Sequence, residues 1–138
     1  MVKIEDATNE QLDVLVAEKM MEWTLIRCTS GGNTVVGFDE DTRTSRLVCP
    51  PEGWSGEGAF RPSTDIACAF QVDKPEWEWR SDELGSWYAG GWRLRLGIWD
   101  DGEYLADITI LLDPANKTAA YCRGRCIAAL KACGVTEV

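Results

Sequence analysis

"WRLRLGIWDDGEYLADITILL", residues 92–112, decides the fold of this chain, because apolar residues alternate with polar ones on both sides of an Asp-Asp-Gly break. Alternation of this kind marks half-buried strands, and two such runs around a glycine-containing turn read as an antiparallel hairpin. A three-residue loop, Asp100-Asp101-Gly102, sets Trp99 opposite Glu103 and pairs Ile98 with Tyr104, Leu96 with Ala106, Leu94 with Ile108 and Trp92 with Ile110. Every pair on that face is apolar. The other face then carries Arg95 against Asp107 and Arg93 against Thr109. A two-residue loop places Arg95 against Ile108 and mixes the faces, which cross-strand energetics disfavour. Gly102 suits the left-handed position that the loop requires.

A sheet with one apolar face needs a cover, and helices flank the hairpin. An amphipathic helix is expected over residues 9–22, with Leu12, Leu15, Val16, Lys19 and Met20 at the i, i+3, i+4 spacing and the aliphatic members as its buried stripe, Thr8 or Asn9 as its cap and Glu10 in its first turn. A last helix follows the Asp113-Pro114 break. Its run "AAYCRGRCIAALKACG" (119–134) stops at Gly134, with Ala119, Cys122, Cys126, Ala129, Leu130 and Cys133 as the buried stripe and Arg123 and Arg125 pointing away from its centre. "WTLIRC" (23–28), stopped by "TSGG", and "SRLVC" (45–49), ending at Pro50-Pro51, read as two further short strands. The fold class expected is α+β: a central antiparallel sheet with helices packed on it, in one domain over residues 1–138.

"RPSTDIACAF" (61–70) opens another helix. Pro62 disfavours helical geometry at Arg61, Ser63 is the expected N-cap, Asp65 complements the dipole in the first turn, and Pro75 ends the element. The same stretch is a candidate anion site, with Arg61, Ser63 and Thr64 at a helix start, although Asp65 would repel a phosphate there.

The formal charge of −9 argues against nonspecific binding to nucleic acid or to anionic lipid, and favours solubility or a basic protein partner. No apolar run reaches the length of about 20 residues that spans a membrane. The N-terminal "MVKIEDATNE" is not a signal peptide, so a cytoplasmic location is expected. Six cysteines stand at 28, 49, 68, 122, 126 and 133, without zinc-type spacing and in a chain without histidine. They read as small buried hydrophobes, so no metal and no cofactor is expected. "DED" at 39–41 reads as a solvated loop rather than a nucleic-acid mimic.

Seven tryptophans are many for this length, and four fall in "WEWRSDELGSWYAGGW" (77–92). On a strand, Trp77 and Trp79 share a face, either filling the core or exposed to stack on a sugar, a nucleobase or a partner protein. Without histidine there is no Ser-His or Cys-His pair, and no G-x-G-x-x-G or P-loop pattern occurs. A non-enzyme is expected.

"LDVLVAEKMMEW" (12–23), "RPSTDIACAF" (61–70) and "TAAYCRGRCIAAL" (118–130), in that order, resemble the phage ABA-sandwich domain family, small proteins of bacteriophages and prophages. Leu15 through Lys19, Ser63 through Ala67 and Ala69 match its pattern; Gly124 and Arg125 depart from it where small alanines are usual. The resemblance implies a sandwich of the αββαββα kind and carries no catalytic motif. It also implies a phage setting, in which a small acidic non-enzyme is expected to bind and modulate a host protein, such as a defence component. Two other expectations stand beside this one. A small-molecule sink would hold a nucleotide-like signal on Arg93, Arg95, Trp99 and the Ser63 helix start, with the Arg95–Asp107 pairing counting against it. A virion or morphogenesis accessory would travel with particles. A homodimer is compatible with all three.

Overall fold

The computed structural model describes residues 2–28, 34–50, 58–86 and 91–138. Its strands and helices make an α+β fold in which antiparallel strands carry packed helices. The strands are shared between two three-stranded sheets where a single central one is expected.

The first sheet holds β1 (Thr24–Cys28), β2 (Thr34–Asp39) and β3 (Thr44–Cys49), in that order. The acidic loop 39–41 is the β2–β3 turn: Asp39 accepts the Asp41 N–H on its side chain (3.0 Å) and the Arg43 N–H on its carbonyl (2.8 Å), with Arg43 at φ 58°. The expected stops of the flanking strands, "TSGG" at 29–32 and Pro51, lie outside the described residues. Trp23 and Phe60 pack ring to ring at 4.8 Å over this sheet.

The second sheet runs β4 (Trp77–Ser86), β5 (Trp92–Asp100), β6 (Glu103–Leu112). Its hairpin corrects the expected register. Asp100 pairs Glu103 and Trp99 pairs Tyr104, so the loop is the two residues Asp101 and Gly102, both at positive φ (49° and 81°) as a twisted two-residue turn requires. Beyond Trp99 the ladder shifts: Ile98 meets Ala106, Leu96 meets Ile108, Leu94 meets Ile110 and Trp92 meets Leu112. Leu105 is the extra residue of a β-bulge. It absorbs the frame that a two-residue loop upsets, so apolar residues still face apolar ones. Arg95 lies opposite Thr109 and reaches Asp107 diagonally (2.9 Å).

Helix α1 (Asn9–Leu15) starts on a capping box in which the Thr8 hydroxyl accepts the Gln11 N–H and the Gln11 side chain accepts the Thr8 N–H. The expected helix to residue 22 instead widens after Leu15 into an i→i+5 turn, Val16–Met20, with the Met21 N–H on the Val16 carbonyl. Of the aliphatic residues expected in the stripe, Leu12, Val16 and Met20 are buried and Leu15 is half-buried. Helix α2 is only four residues long, Ile66–Ala69. Helix α3 (Lys117–Ala132) ends at Gly134 (φ 85°), where the Gly134 N–H reaches the Lys131 carbonyl and the Val135 N–H the Leu130 carbonyl.

Helix α1 packs on the first sheet, α3 packs on β5 and β6 of the second, and the two helices touch each other. One buried cluster therefore runs from Val35 and Val48 through Leu12, Val16, Cys126 and Leu130 to Ile98. Gly124 faces Ile110 so closely that a Cβ there would collide with the isoleucine side chain; the departure from alanine lets α3 seat on β6. Arg125 is the larger correction. It does not point away but is buried at 5% exposure, donating to the carbonyls of Ala69 (2.8 Å) and Val72 (3.3 Å). Its guanidinium caps the carbonyl end of α2 and lies against the rings of Phe70 and Trp79 (5.3 and 3.9 Å).

Candidate interaction face

The candidate residues fall into two groups, separated by the second sheet. Arg61, Ser63, Thr64 and Asp65 sit with the helices. Asp65, not Ser63, is the N-cap of α2, accepting the N–H groups of Ala67 (2.9 Å) and Cys68 (3.3 Å). Ser63 is buried: its N–H donates to Asp13 Oδ1 (2.9 Å) and its hydroxyl to the Asn9 carbonyl (3.3 Å). Arg61 accepts the N–H groups of Thr64 and Asp65 on its carbonyl, closing a turn, and Thr64 is exposed. A four-residue helix has little dipole to offer an anion, and its first donors are taken by Asp65.

Asp13 escaped the sequence reading. It is 5% exposed, and burial raises its carboxyl to about 6, against the opposing pull of the Ser63 donors. Glu10 adds to the rise and Arg61 offsets it. The Asp13–Ser63 contact joins α1 to the 61–65 turn, so this polar pair locates the turn rather than offering it to a ligand.

Trp77 and Trp79 share a face, as alternation requires, and that face is the inner one. They meet edge to face at 6.0 Å; Trp79 donates its indole N–H to Asp73 (2.8 Å) and receives Arg125 on its ring, while Lys74 lies over Trp77 (5.4 Å). Of the two readings open for these rings, packing against the core is the one observed.

The cysteine stripe is packing too. Cys122 and Cys126 are buried, and burial holds the Cys122, Cys126 and Cys133 thiols above their ordinary range, Cys126 most of all. Ala119 departs from the expected stripe and is exposed.

Arg93, Arg95 and Trp99 point the other way, onto the outer face. There, planar side chains form a row across all three strands. Glu78 on β4 holds Arg80 through two hydrogen bonds (3.1 and 3.0 Å), an arrangement that lowers the glutamate carboxyl from its ordinary range. Arg80 lies over the Trp99 ring at 4.7 Å. Trp99 meets Tyr104 edge to face at 5.7 Å. Partial burial, then the neighbouring Asp107 carboxylate, raise the Tyr104 phenol. Asp107 closes the row by accepting from Arg95 (2.9 Å). Trp99 reaches this position because Gly97 lacks a side chain: a Cβ there would run into the indole, so the ring lies across the glycine. Arg93 donates to the Leu84 carbonyl (3.4 Å), and Leu84, Tyr104 and Leu111 are exposed. The site that would join Arg93, Arg95 and Trp99 to the Ser63 helix start is not assembled, because the second sheet stands between its parts.

Fold and face together define an α+β protein whose second sheet turns a row of aromatic and charged side chains outward. Among the described residues no helix is long and apolar enough to cross a membrane. Comparison with family models, with curated proteins and with solved structures finds no match to the chain.

Proposed function

We propose that the protein is a non-catalytic interaction module, of the phage and prophage kind its helical motifs resemble, that binds a host protein in the cytoplasm and modulates it through the outer face of the second sheet. The observation that carries the reading is the Glu78–Arg80–Trp99–Tyr104–Asp107–Arg95 row. Tryptophan, tyrosine and arginine are the residue types that anchor protein interfaces, and here exposed Arg80, Tyr104 and Arg95 surround a half-buried Trp99 on one sheet face. The Trp99 ring lies on Gly97 with Tyr104 at its edge, so binding has little of that ring to order.

The test is site-specific photo-crosslinking in the cell that makes the protein, with a photoreactive phenylalanine at position 104 and, as comparator, at exposed Lys19 on the helix side. A discrete adduct with one polypeptide from position 104 alone is the expected result. No adduct, or the same adducts from both positions, would sink the assignment of this face.

A further inference from the structure

We infer that the segment docking on this face is basic, an arginine-bearing stretch of a protein partner whose guanidinium seats on Trp99 and Tyr104. The inference rests on the reading of the outer face as an interface, and it names the chemistry that the face accepts.

Charge is the first reason. The two rings stand at the hairpin end of the sheet, beside the exposed turn residue Asp101, with Glu76 just before β4, Glu78 opposite Trp99, and Asp82 on the same face acting on Arg80. The basic groups beside the rings are already matched, Arg80 with Glu78 and Arg95 with Asp107. An acidic segment would meet repulsion at this end; a basic one would meet a surplus of carboxylates, on a chain of formal charge −9.

The second reason is that a guanidinium already occupies the ring. Arg80 sits over Trp99, steered by Glu78, so the face displays with its own residue the carboxylate–guanidinium–indole stack it would form with a partner's. The Glu78–Arg80 pair is solvent-exposed, and such pairs contribute little to stability. A partner arginine can therefore exchange with Arg80 or extend the stack over Tyr104, which is 51% exposed. Two rings inclined at 71° offer two such seats.

The test is a titration of isotope-labelled protein with a hexa-arginine peptide, with hexaglutamate as comparator, following backbone amides and the Trp99 indole N–H. Shifts from hexa-arginine should concentrate at 78–80 and 97–107 and fade at about 1 M salt, where the screening length falls to about 3 Å. Trp99→Ala should weaken binding about fivefold, the loss of one ring seat. Arg80→Ala should tighten it about twofold by vacating the ring, a sign that no merely structural role for Arg80 produces. Tyr104→Ala, which changes an exposed ring, repeats the test should Trp99→Ala melt early.

Hexa-arginine shifts spread over the whole acidic surface, the 39–41 turn included, and indifferent to Trp99→Ala would overturn the inference. So would hexaglutamate binding at Arg93 and Arg95. A discrete crosslink at position 104 without hexa-arginine binding would leave the interface standing and remove its basic partner.

Discussion

The second sheet carries an arginine on a tryptophan on each of its faces, and the two pairs differ in everything but chemistry. On the inner face Arg125 lies 3.9 Å from Trp79, buried, with two main-chain carbonyls as its acceptors. On the outer face Arg80 lies 4.7 Å from Trp99 with an exposed glutamate as its acceptor. Losing Arg125 would leave the Val72 carbonyl without its donor and the Ala69 carbonyl with the Val72 N–H alone, and a buried orphan costs its full desolvation. Losing Arg80 would leave groups that water can satisfy. The same pair thus serves stability when dry, and when wet it is the surface we propose for recognition.

That contrast breaks most easily on the inner side. Arg125→Ala is expected to cost about 3 kcal/mol, since it takes a charged donor from two buried carbonyls, leaves that of Val72 without one and empties the space beside Phe70 and Trp79. Denaturant unfolding measures it. Arg125→Lys should recover only part, because an ammonium cannot fork to two carbonyls while stacking on two rings. A loss within about 0.5 kcal/mol for the alanine variant would erase the distinction between the faces.

Asp13 gives the next effect, through pH. Its carboxyl stands at about 6 in the fold against an ordinary 3.8, so the folded state binds more protons between these values. The stability it contributes is complete below about pH 3.8 and is lost as pH rises through about 6, up to about 3 kcal/mol. Asp13→Asn should flatten that part of the stability–pH curve, measured by urea unfolding between about pH 4 and 7. An unchanged slope would show that Asp13 is not the group that titrates.

Gly124→Ala sharpens the picture of how α3 reaches the sheet. Crowding against Ile110 should cost about 1–3 kcal/mol, partly offset by the roughly 1 kcal/mol that alanine adds to helix propensity. A double-mutant cycle with Ile110→Ala should return a coupling above about 0.5 kcal/mol. The smallest effect belongs to the outer face: Trp99→Ala should change stability by no more than about 1 kcal/mol. A larger loss would mean that the outer row holds the sheet together.

The α+β class, the 92–112 hairpin, the Thr8 cap and the Gly134 stop follow from local patterns, because each depends on residues within one or two turns of one another. β2 was harder to see: Gly37 and Asp39 dilute "TVVGFD", and the glycine is there because Trp23 packs on it. The register slipped because alternation fixes faces but not a bulge, and Leu105 restores the faces after a shorter turn. Arg125 had a signal that its charge concealed. Residues 122, 125, 126 and 129 fall at i, i+3, i+4 and i+7, so helical spacing places it on the buried stripe. The Asp13–Ser63 contact spans fifty residues, and no local pattern announces it. At the candidate site, Trp99 and Arg95 were visible as outward residues of β5, whereas Arg80 and Tyr104 needed the true strand pairing.

Leu105 has a consequence for how this protein can change its length. It is the residue without a cross-strand partner, and on either side of it the ladder is regular. Delete it, and Ile98 still meets Ala106, Trp99 still meets Tyr104, and every other side chain keeps its orientation. Remove a residue further along β6 instead, and the stretch between it and the bulge turns inside out. The hairpin therefore has one position where a codon can vanish without a frameshift in space, at the cost of local twist and the packing of one leucine.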